Sequence, residues 1–237
     1  VLILALDTCD SNGSVAVLRD AQVLQTLTHE SSEDYSSWLL NAVTELLRAA
    51  GLSLSEIDAY AVAAGPGSFT GVRVALTTAK AWAEVYARGV AVVSRLEALA
   101  AQAAGSEARV AALADARRGQ IFAALYTRAT GRLERVGDEM VIAPGAFVSW
   151  AVEQSGADTI RWVSADPRCL NETPAWAARR SLGETVDTVS PFLASVIGRM
   201  GYQLALAKRL TTALALDANY VRRSDAEVSW HDRPVSQ

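Results

Sequence analysis

Val1-Leu2-Ile3-Leu4-Ala5-Leu6-Asp7 is a short apolar run that stops at a carboxylate, and the chain repeats the device as Val110-Ala111-Ala112-Leu113-Ala114-Asp115. Apolar runs of this length fit strands buried on both faces. After the first run, the turn Asp10-Ser11-Asn12-Gly13 leads into Ser14-Val15-Ala16-Val17-Leu18, and Arg19-Asp20 turns into a partly alternating stretch over residues 22–27. Three short strands joined by tight turns predict an antiparallel meander. The second run is followed in the same way, by a turn at Arg117-Arg118-Gly119 and an apolar stretch over residues 121–126.

Helices and further strands follow each meander. Ser31-Ser32-Glu33-Asp34 is a helix start signal, because the Ser oxygen can accept from an unpaired N–H and acidic residues suit the positive end of the helix dipole. Tyr35, Trp38, Leu39, Ala42, Val43, Leu46, Leu47 and Ala50 then recur at steps of three and four before Gly51, which is the usual closing residue. A strand over residues 57–64 runs into Gly65-Pro66-Gly67-Ser68-Phe69-Thr70-Gly71, and a helix is expected from Thr70 or Gly71 to about Arg88, stopped by Gly89. Residues 90–93 read as a strand and Ser94 as the cap of a helix to about Ala103. In the second half come a stretch over 133–142, a helix after Pro144, a strand over 159–163 and a long helix after Pro191, through Leu193 to Leu206. Two units of strand–strand–strand–helix–strand predict a duplicated lobe. With Ala104-Gly105-Ser106 as the joint, the expected domains are 1–104, for partner docking, and 105–237, whose last helix can pack back on the first lobe. This order resembles the α/β actin-like ATPase (ASKHA) fold of sugar kinases, Hsp70 and actin, two similar lobes each with a mixed sheet flanked by helices. The resemblance implies a nucleotide cleft between lobes, where a hairpin from each wraps the phosphates and a carboxylate steers the metal.

The motifs leave their chemistry open. Asp7, Thr8 and the turn glycine Gly13 can form a first phosphate loop, in which turn N–H groups take oxygens and the acid holds a hydrated cation. The same residues also make an ordinary β-turn that satisfies its own backbone. The second tip, Asp115-Ala116-Arg117-Arg118-Gly119, carries two guanidinium groups where a phosphate hairpin favours small residues. These arginines can meet phosphate, pair with carboxylates of another protein, or simply face solvent. Gly65, Gly67, Ser68, Thr70 and Gly71 have the layout of an anion-binding helix start, but no Lys follows the last Gly and Pro66 removes a donor, so it is not a Walker A loop. Its other reading is a structural turn whose glycines permit close packing. On the helix it opens, Arg73, Thr77, Lys80, Glu84 and Arg88 form one polar stripe and nearly everything else is apolar. That arc is wider than the roughly 100° a surface helix needs, so the helix is either sandwiched in its own lobe or shared with a partner.

Totals exclude several classes. Hydrophobic residues make up 51% and charged residues 20%, with net charge -4. Such a balance argues against a chain that grips a nucleic-acid backbone by itself, which needs a positive surplus. Cys9 and Cys169 have no Cys or His neighbours and read as free thiols. His29 and His231 are the only histidines, too few for a His pair on a metal, and neither lies near a nucleophile motif. No apolar stretch is long enough to span a bilayer, so a cytoplasmic protein with no membrane partner is expected.

Taken in order, Asp7-Thr8, Gly65-Pro66-Gly67-Ser68-Phe69-Thr70-Gly71-Val72-Arg73 with Thr77-Thr78-Ala79-Lys80, Asp115-Ala116-Arg117-Arg118-Gly119 and Asn219-Tyr220-Val221-Arg222 resemble the TsaB (YeaZ) family. The resemblance covers nearly the whole chain. Its members are bacterial partner proteins in making N6-threonylcarbamoyladenosine on tRNAs that read codons starting with A, and are similar in fold to the catalytic subunit TsaD. Where TsaD carries two metal-binding histidines, this chain has Arg95 and Leu99. The resemblance therefore implies a pseudoenzyme without catalytic residues, metal or cofactor. Asp7, Thr8, Gly13, Asp115 and Gly119 would be the remains of phosphate binding. It also implies docking on TsaD as a heterodimer through the two first-lobe helices, at Trp38, Asn41 and Glu45 on one and Arg73, Thr77, Lys80, Ala81 and Glu84 on the other. TsaE then joins, TsaC supplies threonylcarbamoyl-adenylate, the chain alone forms a homodimer, and tRNA is met only through the complex. The chain departs from the family at Asp34-Tyr35, where many members have His, and at Ala218-Asn219, where Pro usually precedes Tyr. An active ATPase or small-molecule kinase using Asp7 and Asp115 is the alternative.

Overall fold

A computed structural model describes residues 1–30, 34–129, 132–170, 173–219 and 221. The first half forms β1 (Leu2–Asp7), β2 (Gly13–Arg19), β3 (Gln22–His29), α1 (Tyr35–Ala49), β4 (Ala59–Ala63), α2 (Phe69–Tyr86), β5 (Gly89–Val93) and α3 (Arg95–Ala100). The second half forms β6 (Arg109–Asp115), β7 (Ile121–Ala129), β8 (Arg132–Ile142), α4 (Pro144–Ser155), β9 (Ile160–Ser164), α5 (Pro174–Ser181), β10 (Val186–Thr188) and α6 (Ala194–Leu206). The sheets run β3-β2-β1-β4-β5 and, from the other edge, β8-β7-β6-β9-β10. In each, an antiparallel meander is extended by two parallel strands. The chain thus has the duplicated actin-like ATPase fold, with β1 and β6 in equivalent central places.

Layering follows from side-chain alternation. Tyr60 on β4 meets Trp82 of α2, with ring centroids 5.8 Å apart, while its neighbour Ala61 faces α6. Sheet one is therefore covered by α1 and α2 on one face and by α6 on the other. The approach of α6 is close: a Cβ added to Gly201 would lie 2.6 Å from Ala61 Cβ, and one on Gly198 2.2 Å from Leu18 Cδ1. Ser14 Oγ accepts from Ala194 N at 3.0 Å and satisfies one of the donors left over at the start of α6. In sheet two, Val110, Ala112 and Ala114 face the shared core with α3, whereas Ala111 and Leu113 pack outward with Phe147 and Trp162 under α4.

Several boundaries differ from the sequence expectation. Helix α2 begins at Phe69 and ends at Tyr86, because Ala87 takes the left-handed conformation at φ 51 and stops it. Gly89 does not stop the helix; it opens β5, where a Cβ would press to 2.7 Å of Leu210. Asp34 is the residue before α1 but makes no side-chain cap, and the rest of the start signal, Ser31-Ser32-Glu33, lies outside the described residues. Helix α5 and strand β10 were not anticipated. The Thr173-Pro174 pair that opens α5 is nonetheless a legible start, with Thr173 Oγ1 accepting from Trp176 N at 3.2 Å.

Candidate functional site

The β1–β2 and β6–β7 turns, the Gly65–Gly71 loop and the start of α3 meet around a cleft of about 450 Å³. Asp7, at the end of β1, is fully buried. Its Oδ1 accepts from Cys9 N at 2.9 Å, and its Oδ2 lies 3.7 Å from Arg95 Nε. Arg95, first residue of α3 and 2% exposed, also reaches half-buried Asp10 with Nη2 at 3.2 Å from Oδ2. Burial pushes the Asp7 carboxyl above its usual range, against the pull of Arg95 and the Cys9 N–H. Burial presses the Arg95 guanidinium down, but Asp7 and Asp10 outweigh it and hold the group charged.

The sign of the Asp7 shift makes a prediction. A carboxyl raised on folding favours the protonated fold, so its contribution is full below the unfolded value and is lost as pH rises through the folded one. With Asp10 still pairing Arg95, Asp7→Asn is expected to raise the melting temperature at pH 7 and to leave it unchanged near about pH 3. Scanning calorimetry at both pH values checks this; a drop at pH 7 would refute it.

The Gly65–Gly71 loop packs against the turn after β1. Ser68 N donates to Cys9 O at 2.7 Å, and Thr8 Oγ1 donates to Gly71 O at 2.6 Å. A Cβ on Gly67 would lie 2.3 Å from Cys9 O, one on Gly71 2.0 Å from Thr8 O, and one on Gly65 2.9 Å from Asn219 O. These glycines let two backbones touch. Ser68 Oγ caps α2 by accepting from Gly71 N at 3.3 Å, and Thr70 is exposed beside it. Gly13 lies under Tyr35, whose ring a Cβ would meet at 2.4 Å, and the Tyr35 hydroxyl donates to Asp10 O.

Across the cleft the second turn is left-handed at three successive residues, Arg117, Arg118 and Gly119, with φ 62, 55 and 70. Asp115 Oδ1 accepts from Arg117 N at 2.7 Å, and Oδ2 pairs with Arg117 Nη1 at 3.2 Å. Behind the cleft, Glu139 of β8 accepts from Ser94 at the start of α3 and from Asn219 Nδ2. Sequence reasoning missed this tie, and no local pattern marks it. Of the Asn219–Arg222 motif, Tyr220 and Arg222 lie outside the described residues.

The candidate docking residues occupy the outer side of α1 and α2. Val72, Ala75, Leu76, Ala79 and Ala83 are buried on the sheet side of α2, while Arg73, Thr77, Lys80, Ala81 and Glu84 are exposed together. Arg73 stacks on Phe69 at 3.8 Å, and Val85 and Leu40 are 74% and 53% exposed. Asn41 and Glu45 are exposed on α1. Trp38 is half-buried, its ring held by His29 and Tyr35 with centroids 4.9 and 6.0 Å away.

Residues 25–168 match the family model described as TsaD: tRNA N6-adenosine threonylcarbamoyltransferase. The chain is 30% identical over 246 residues to a "tRNA threonylcarbamoyladenosine biosynthesis protein TsaB" from Haemophilus influenzae, covering 98% of this chain and 97% of that one. It is 35% identical over 134 residues to the Bacillus subtilis protein of the same name, covering 56% of this chain and only 58% of that relative's length. A crystal structure from Pseudomonas aeruginosa, of a protein "with similarity to peptidase YEAZ", superposes with a TM-score of 0.74 at 27% identity, covering 93% of this chain and 99% of that one. Among the described residues, no helix is long and apolar enough to cross a membrane.

Proposed function

The chain belongs to the TsaB family, and on that premise we propose that it is a non-catalytic subunit that docks on TsaD and supports N6-threonylcarbamoylation of adenosine in tRNAs reading codons that start with A. The observation that carries this reading is the outer face of α2. One side of the helix is fully used by its own sheet, and the other presents Ala81 and Val85 among Arg73, Thr77, Lys80 and Glu84. A small, mixed face of this kind lets a second helix approach to the usual 8–10 Å or so, with charges at its margin to fix orientation. Asn41, Glu45 and Leu40 of α1 extend it. In the absence of TsaD the same face closes on a second copy of the chain. The net charge of -4 fits a subunit that reaches tRNA only through the complex with TsaD and TsaE, to which TsaC supplies threonylcarbamoyl-adenylate.

Reconstitution of tRNA modification from TsaC, TsaD and TsaE, with and without this chain, tests the reading. Omitting the chain is expected to lower the yield of modified nucleoside by about tenfold or more. Equal yields would overturn the assignment.

A further inference from the structure

We propose that the cleft between the lobes excludes metal-bound nucleotides because the chain supplies its own counter-cations, Arg95 against Asp7 and Asp10, and Arg117 against Asp115. Space is not the obstacle, since about 450 Å³ suffices for a small-molecule ligand. A metal-bound nucleotide in this fold needs a carboxylate free to face the cation and main-chain N–H groups free to take phosphate oxygens. At the two turns each carboxylate already faces a cation of the chain, and several N–H groups are bonded within the chain. Asp7 is wholly buried; its Oδ1 accepts from Cys9 N, and its Oδ2, without a hydrogen bond, lies 3.7 Å from Arg95 Nε. Asp10, the other acid of that turn, holds Arg95 Nη2 at 3.2 Å and accepts from Ser11 N at 2.8 Å. Asp115 is engaged by both the backbone and the guanidinium of Arg117.

Several backbone donors of the turns and the loop are engaged internally as well. Cys9 N goes to Asp7, Ser11 N to Asp10, Ser68 N to Cys9 O, Arg117 N to Asp115, and Gln120 N to Arg117 O at 3.1 Å. A divalent cation approaching Asp7 would have to compete with the Arg95 guanidinium 3.7 Å from its Oδ2, and the two positive charges repel each other. Arg95 is the decisive group, because it is 2% exposed and cannot swing into solvent as Arg117, 72% exposed, can. The charge balance of the cleft does not depend on what docks on α2, so the two readings fail separately.

Two measurements on the full chain test the inference. Titration with Mn²⁺ followed by its paramagnetic resonance, and with Mg·ATP by calorimetry, is expected to show no saturable binding up to roughly 1 mM. Saturable Mg·ATP uptake that Asp7→Asn abolishes would overturn the proposal. The second is a double-substitution cycle on thermal stability. Arg95→Met strands the Asp7 charge and is expected to lower the melting temperature by roughly 10 °C, or to prevent folding. Adding Asp7→Asn to it should restore most of that loss. Should Arg95→Met be as stable as the parent, or the double variant be no better than Arg95→Met alone, Arg95 is not the counter-cation and the proposal falls.

Discussion

Ala81→Arg is expected to weaken association with TsaD by about 100-fold or more, near 2.7 kcal/mol, while leaving the fold intact. Ala81 is exposed on α2, so within one copy of the chain a larger side chain there meets only solvent. Surface changes of this kind shift stability by about 0.5 kcal/mol or less. In the proposed docked pair the same position, the small residue among Arg73, Thr77, Lys80 and Glu84, would lie at the contact. There an arginine must either wedge the helices apart or be buried without a partner, and both are costly. The same change at Ala178, exposed on α5 in the other lobe, should leave association unchanged. Sedimentation of the mixed subunits and the yield of modified tRNA read the outcome. Normal heterodimer formation by Ala81→Arg would remove α2 from the interface.

Gly71→Ala is expected to cost about 4 kcal/mol, enough to lower the melting temperature by roughly 10 °C. The added Cβ would lie 2.0 Å from Thr8 O and 3.1 Å from Thr8 C, both backbone atoms. Thr8 cannot retreat, since it is fully buried between β1 and Cys9 and its hydroxyl is bonded to Gly71 O. Relief requires moving the first turn of α2 and with it the proposed docking face. Gly119→Ala is the contrast. No atom lies within 4 Å of its added Cβ, and only the φ of 70° is unfavourable, so that change should cost about 1 kcal/mol. Comparable losses at the two sites, by chemical denaturation, would show that backbone contact is not what Gly71 provides.

The duplicated architecture was legible because it is written in local signals. Two apolar runs ending at Asp7 and Asp115, each followed by a turn and a meander, set both sheets without any long-range information. The glycines at Gly65, Gly67 and Gly71 announced a tight strand-to-helix passage, but not its neighbour. Only the folded chain shows that Gly67 and Gly71 lie against the backbone of Cys9 and Thr8. Arg95 was visible as a residue standing where a metal ligand is found in TsaD. Its pairing with Asp7 and Asp10 joins residues far apart in the chain and leaves no periodic trace. The same holds for Glu139, which gathers Ser94 and Asn219 from distant segments. Strand β10 escaped notice for a simpler reason: three residues, Val186–Thr188, are too few to alternate. The end of α2 was misplaced because Ala87 adopts a left-handed conformation normally given to Gly or Asn.

The return of α6 to sheet one bears on how the protein is made. Leu18, Ala61 and Ala91 lie against Gly198 and Gly201, so one whole face of the N-terminal sheet waits for a helix translated near the other end. During vectorial synthesis the N-terminal unit emerges first yet lacks its lid, and it exposes apolar strand surface until residues 194–206 arrive. Nascent chains halted before that point are therefore the forms a chaperone should hold, and a ribosome-stalling series should show protease resistance of β1–β5 appearing only once α6 is free of the exit tunnel.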